Sequence, residues 1–165
     1  MQTLNVGAGQ TEQEYKHAAE QRLTDLRAES QSDANYFFIA AGLAALGTGL
    51  LPLRLNILVN IGAIDLLAYY GRSAPSFSIM MYGAAGLWVA ILAGLGFAAR
   101  GGQRWAFLAG IVLYAADMIA LITMFSLWAF GVHAFLLFRW FQGQKSLKDL
   151  HDASASTPAD SLQPK

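Results

Sequence analysis

The chain has 165 residues, no cysteine, 55% hydrophobic and only 13% charged residues, and a formal net charge of zero. Charged content is thus about half the ~25% usual in globular domains. Between Tyr36 and Phe138 it falls to Arg54, Asp65, Arg72, Arg100, Arg104 and Asp117. These figures exclude a soluble globular domain, a disulfide scaffold, a cysteine-ligated zinc site and cysteine catalysis, and the charge balance carries no nucleic-acid signature.

Residues 1–35 are polar, and the basic start plus apolar run of a signal peptide is missing. Thr11-Glu12-Gln13-Glu14 reads as a capping box, with Thr11 as N-cap and Glu14 reaching back. Tyr15, Ala19, Leu23 and Leu26 follow at helical spacing, which predicts an amphipathic helix over 12–29. That helix reads as a solvated lead-in to the membrane or as a docking helix.

A first span is predicted over 36–52, ending at Pro52, with Ala41, Ala45 and Gly49 as a small-residue stripe. Residues 55–70 contain Asn56, Asn60 and Asp65 and reach only about 24 Å, short of a ~30 Å hydrocarbon core. The run 76–99 is long enough to span. It carries Gly86, Ala90, Gly94 and Ala98 at four-residue spacing, a helix-packing signature within a protomer or between copies. Arg100-Gly101-Gly102-Gln103-Arg104 makes a basic turn. Residues 105–138 would extend about 51 Å as one helix, too long for one crossing, so the run turns back near 126–131. This yields spans over 105–126 and 129–142, with Arg139-Trp140 as an interfacial anchor and Arg139 snorkelling outward. A basic segment and a disordered tail, from Ala153 on, complete residues 143–165.

The fold class predicted is therefore all-α, a polytopic membrane helical bundle with four transmembrane helices plus a partial or re-entrant helix over 55–70. The alternative is five transmembrane helices. Basic residues favour four. With both termini cytoplasmic, nine of the eleven lysines and arginines lie inside and only Arg54 and Arg72 outside. Five crossings divide them seven to four. A faint repeat at an offset of 52 pairs Asp65 with Asp117, as chance or as two related hairpins.

Asp117 is the most informative residue. An aspartate near the middle of an apolar helix costs about 2.5–3.5 kcal/mol on insertion scales. Tyr114 shares its face one turn away and is a candidate hydrogen-bond partner. His133 follows the predicted turn, where it titrates near neutral pH, pairs with Asp117, or is hydrogen-bonded in the packing. Asp117, Asp65, Tyr114 and His133 together form a candidate proton or ion site. The bland reading of each is a satisfied structural group.

No catalytic motif survives inspection. Gly94-Leu95-Gly96-Phe97-Ala98-Ala99 matches a dinucleotide fingerprint only on paper, because it lies inside an apolar helix with no preceding strand. The two aspartates lack the flanking residues of intramembrane aspartyl proteases, and the histidines are too scattered for a metal site. No enzyme activity, cofactor or metal is expected. The partners expected are the lipid bilayer and a second copy or another membrane protein, with no nucleic acid. A non-catalytic scaffold or accessory subunit is the first functional expectation, and a small proton- or cation-coupled transporter or channel the second.

Arg104-Trp105-Ala106-Phe107, Gly110, Leu113-Tyr114, Asp117, Gly131, His133-Ala134-Phe135 and Gly143 resemble a pattern in a group of small bacterial multi-pass membrane proteins with no activity attached. The resemblance implies a bacterial inner-membrane location. Some members carry an N-terminal cysteine zinc ribbon, from which this cysteine-free chain departs.

Overall fold

A computed structural model describes residues 6–50, 75–122 and 127–156. They form four helices: α1, Val6–Leu50; α2, Pro75–Arg100; α3, Arg104–Ile122; and α4, Leu127–Ser156. Residues 55–70, with Asn56, Asn60 and Asp65, lie outside the described residues.

The helices make one antiparallel four-helix bundle, closed in a ring so that each packs on the next and α4 on α1. Cross-helix pairs set the directions. Asn35 meets Arg100 and Phe38 meets Phe97, while Ala44 and Ala85 share a small cluster further along, so α2 descends as α1 rises. Asp33 meets Arg139 and Tyr36 meets Phe135, so α4 also runs against α1. The start of α1, the α2–α3 turn and the end of α4 therefore lie at one end of the bundle.

A stripe on α1 positions the core. Ser30, Asp33, Ala34, Phe37, Ala40, Ala41 and Ala44 are all buried, at the three- and four-residue spacings that keep one helix face inward. Phe37 lies at the centre, stacked on Trp140 with ring centroids 4.1 Å apart and tilted against Phe107 at 5.8 Å. Two glycines make this possible. A Cβ on Gly110 would collide with the Phe37 ring, and one on Gly143 would sit 2.6 Å from Phe107 and 2.8 Å from the Asp33 Cβ. Gly96 plays the same part more loosely, with 3.0 Å to Phe37 and Phe38.

The α2–α3 turn is a closed helix cap. Gly102 takes φ +80°, Gly102 N–H donates to Ala99 O and Gln103 N–H to Ala98 O. This double bond pattern satisfies carbonyls that a helix end leaves orphaned, and it asks for glycine at the left-handed residue.

Several expectations change. The amphipathic helix predicted over 12–29 and the span predicted over 36–52, as far as Leu50, are one uninterrupted helix, because nothing between them breaks helical geometry; residues 51 and 52 lie outside the described residues. Residues 13–29 are exposed except for half-buried Leu23 and Leu26. The turn predicted near 126–131 does not extend to Gly131, which lies inside α4, since the helix begins at Leu127. The helix also continues through Ala153 to Ser156, where a disordered tail was predicted. His151 Nδ1 and Ser154 Oγ each bond the carbonyl four residues earlier there, at 2.8 Å.

Of the small-residue stripe only Ala98, half-buried against the core, packs within the protomer. Gly86, Ala90 and Gly94 are exposed, and a Cβ on either glycine would meet nothing within 4 Å. The inward face of α2 is instead Ala85, Leu92, Leu95 and Ala99. Four-residue spacing defines a helix face but not the direction in which it points.

Apolar side chains both fill the core and cover much of the outside, and a few polar groups are enclosed among them. Asp33, Asp117, His133, Ser30 and Ser146 are buried, while Ile79, Leu87, Phe97, Val112, Ile119, Phe138 and Phe141 are exposed. Of the described helices, one segment, Ile79–Arg100, is long and apolar enough by itself to cross a membrane.

Candidate functional site

Two buried polar pairs lie in this bundle. The first joins α3 to α4. Asp117 and His133 are each about 95% buried, and His133 Nε2 lies 2.7 Å from Asp117 Oδ2. On the other side of the ring, His133 Nδ1 lies 2.8 Å from the Ala129 carbonyl. A carbonyl only accepts, so Nδ1 carries a proton. The Nε2–Oδ2 contact then holds one further proton. That proton makes either an imidazolium facing a carboxylate or a neutral imidazole facing a carboxylic acid. Both arrangements have zero net charge, which is how an apolar interior accommodates two titratable groups.

Aromatic rings enclose this pair. Tyr114, one turn before Asp117 on α3, lies against His133 with centroids 4.8 Å apart and edge-on to Trp140 at 4.6 Å. Trp88 of α2 stacks on Tyr114 at 6.5 Å. The structure thus brings together three residues of the predicted site, Asp117, Tyr114 and His133. Asp65, the fourth, is outside the described residues.

The second pair was not anticipated. Asp33 is fully buried on α1, and its Oδ1 lies 2.5 Å from Arg139 Nη2 on α4. Arg139 also donates to Gln142 Oε1 at 3.0 Å and lies over the Tyr36 ring, 4.8 Å from its centroid. The expected snorkelling of Arg139 is therefore corrected: the guanidinium turns inward, because a buried carboxylate and an aromatic face await it there. Asp33 was readable in principle. It continues the buried stripe of Phe37, Ala41 and Ala44 backward by one turn, but a polar residue in polar sequence gives no hydropathy signal.

Asp33 precedes the first apolar segment, and burial raises its carboxyl from 3.8 to about 6, with Arg139 opposing and Glu29 adding to the rise. A folded-state value above the unfolded one contributes stability that is full below pH 3.8 and lost as pH rises through about 6. The protein should accordingly be about 1 kcal/mol more stable at pH 5 than at pH 7. Unfolding in detergent at the two pH values checks this, and the difference should vanish in Asp33→Asn.

Among the described residues no group of three or more His, Asp or Glu side chains is placed to hold a metal ion. No protein-family model matches the chain, and neither the curated proteins nor the solved structures contain a significant match to it.

Proposed function

We propose that this chain is a small, non-catalytic integral membrane protein with four crossings and both termini cytoplasmic, acting as a self-associating scaffold or accessory subunit. The exposed apolar surface carries the reading. Large apolar side chains cover the outside of the bundle while carboxylates and a histidine are enclosed. A surface of that kind is stable in lipid and a liability in water. The antiparallel run of α1 and α2 supports four crossings rather than five, because a single crossing by the segment between them would make the two helices parallel. The open Gly86, Ala90 and Gly94 face supports self-association, since small residues let helices approach closely where lipid supplies no hydrophobic drive.

The absence of cysteine makes the test direct. Single cysteines at Leu87 and Ile119 should resist a water-soluble thiol reagent in intact membranes yet react with a lipid-soluble one. A cysteine at Ser154 should label from the cytoplasmic side. A cysteine at Gly86 should give a disulfide-linked dimer on mild oxidation. Aqueous labelling at Leu87 and Ile119 would refute the membrane reading, and exclusively monomeric protein would refute self-association.

The enclosed Asp117–His133 pair favours one second reading, a proton-coupled transporter in which the shared proton is the coupling ion. Proteoliposomes should then show a proton flux that Asp117→Asn abolishes. Flux no greater than a protein-free leak would remove this reading.

A further inference from the structure

We propose that the end of the bundle bearing the α2–α3 turn holds a binding site for a phosphate group. A cleft of about 330 Å³ opens there between α1, the turn and the end of α4. Its polar lining is Arg27, Ser30 and Gln31 from α1, Arg100 from α2, and His151 and Ser154 from α4. Two guanidiniums and an imidazole from three helices therefore converge, and no carboxylate is among the lining residues.

The cleft is built rather than incidental. Arg100 donates through Nε, at 3.0 Å, and through Nη2 to Asn35 Oδ1, and its guanidinium is 5.0 Å from the centroid of the Phe38 ring. Those contacts fix the side chain and leave Nη1 for a ligand. His151 Nδ1 is engaged by the Leu147 carbonyl at 2.8 Å, which leaves Nε2. The C-terminal carbonyls of α2, which would repel an anion, are capped by the amides of the turn. Guanidiniums held in place suit phosphate oxygens, which they bind through paired N–H groups.

Two sources can supply that chemistry. On the membrane reading above, on which only the lipid source rests, the cleft lies where Ile79–Arg100 ends, at the depth of headgroups. An anionic lipid of the cytoplasmic leaflet would present its phosphate there. A soluble phosphate monoester is the other source.

The full chain in neutral detergent decides the matter. Its thermal midpoint is followed while dioleoylphosphatidylglycerol, dioleoylphosphatidylcholine, glycerol 3-phosphate or inorganic phosphate is added. Phosphatidylglycerol should raise the midpoint, with an apparent affinity about fivefold weaker in Arg27→Gln. His151→Gln should weaken it in the same direction. Arg27 is exposed, so Arg27→Gln should fold normally, which circular dichroism checks. If glycerol 3-phosphate or inorganic phosphate gives the same Arg27-dependent shift, the ligand is a free phosphate species. If phosphatidylglycerol alone does so, it is a lipid headgroup. An equal response to phosphatidylcholine, no response to any anion, or a response unchanged in both variants would overturn the proposal. Because the readings are made in micelles, they do not depend on the number of crossings.

Discussion

His133→Leu should lower the unfolding free energy by about 1–3 kcal/mol, the usual consequence of deleting one partner of a buried hydrogen bond. Asp117 has His133 Nε2 at 2.7 Å in a site ringed by Tyr114, Trp88 and Trp140, and leucine offers its Oδ2 nothing. Asp117→Asn should be milder, about 1 kcal/mol, because the amide still donates to Nε2 while Nδ1 remains on the Ala129 carbonyl. The double variant Asp117→Leu/His133→Leu should recover most of the loss, since neither partner is left unpaired. Reversible unfolding in mixed micelles with increasing SDS measures all four proteins. Equal losses for His133→Leu and the double variant would mean that packing, not the polar contact, holds α3 to α4.

The second large effect divides the glycines into two classes. Gly110→Ala and Gly143→Ala should each destabilise by about 1–3 kcal/mol, the range for overpacking a filled core. The new methyl at 110 meets Phe37, which is held between Trp140 and Phe107 and has nowhere to move. At 143 it meets Phe107 and the Asp33 Cβ, whose displacement would also pull Asp33 from Arg139. Gly86→Ala and Gly94→Ala have open space and should leave the protomer unchanged or up to about 1 kcal/mol more stable, the helix-propensity difference. Replacing both with leucine should leave the protomer folded and weaken the dimer on the self-association reading. The same SDS titration measures protomer stability, and crosslinking yield measures the dimer.

The contrast between these glycines shows where sequence reasoning stopped. Gly86 and Gly94 stand out in a linear reading because they repeat at four-residue spacing with alanines. Gly110 and Gly143 stand alone and carry no periodic signal, yet they decide how closely the helices approach. Periodicity reports a face; only a partner helix reveals which face is used. Arg139 teaches the same lesson. Its place beside Trp140 at the end of an apolar run suggested an interfacial anchor, and the opposing reach of Asp33, more than a hundred residues away, draws it inward.

Asp117 and His133 were legible as suspicious residues because charge or titration inside an apolar run is energetically costly wherever it occurs. Their meeting was legible only as one option. It depends on α3 and α4 packing antiparallel, with Asp117 and His133 at one level.

Hydropathy and spacing along the chain were enough for the helical class, for the positions of α2 and α3 to within a few residues, and for Asp117 as a residue whose burial demands a partner. Those follow from local properties: hydropathy, spacing, glycine and proline, and the cost of a lone charge. Packing across the bundle was needed to learn that α1 runs unbroken from Val6 to Leu50, that Asp33 pairs with Arg139, and that Gly86, Ala90 and Gly94 of α2 point outward. These depend on which surfaces meet across the bundle. Such contacts join residues far apart in the chain, and no window along it contains both partners.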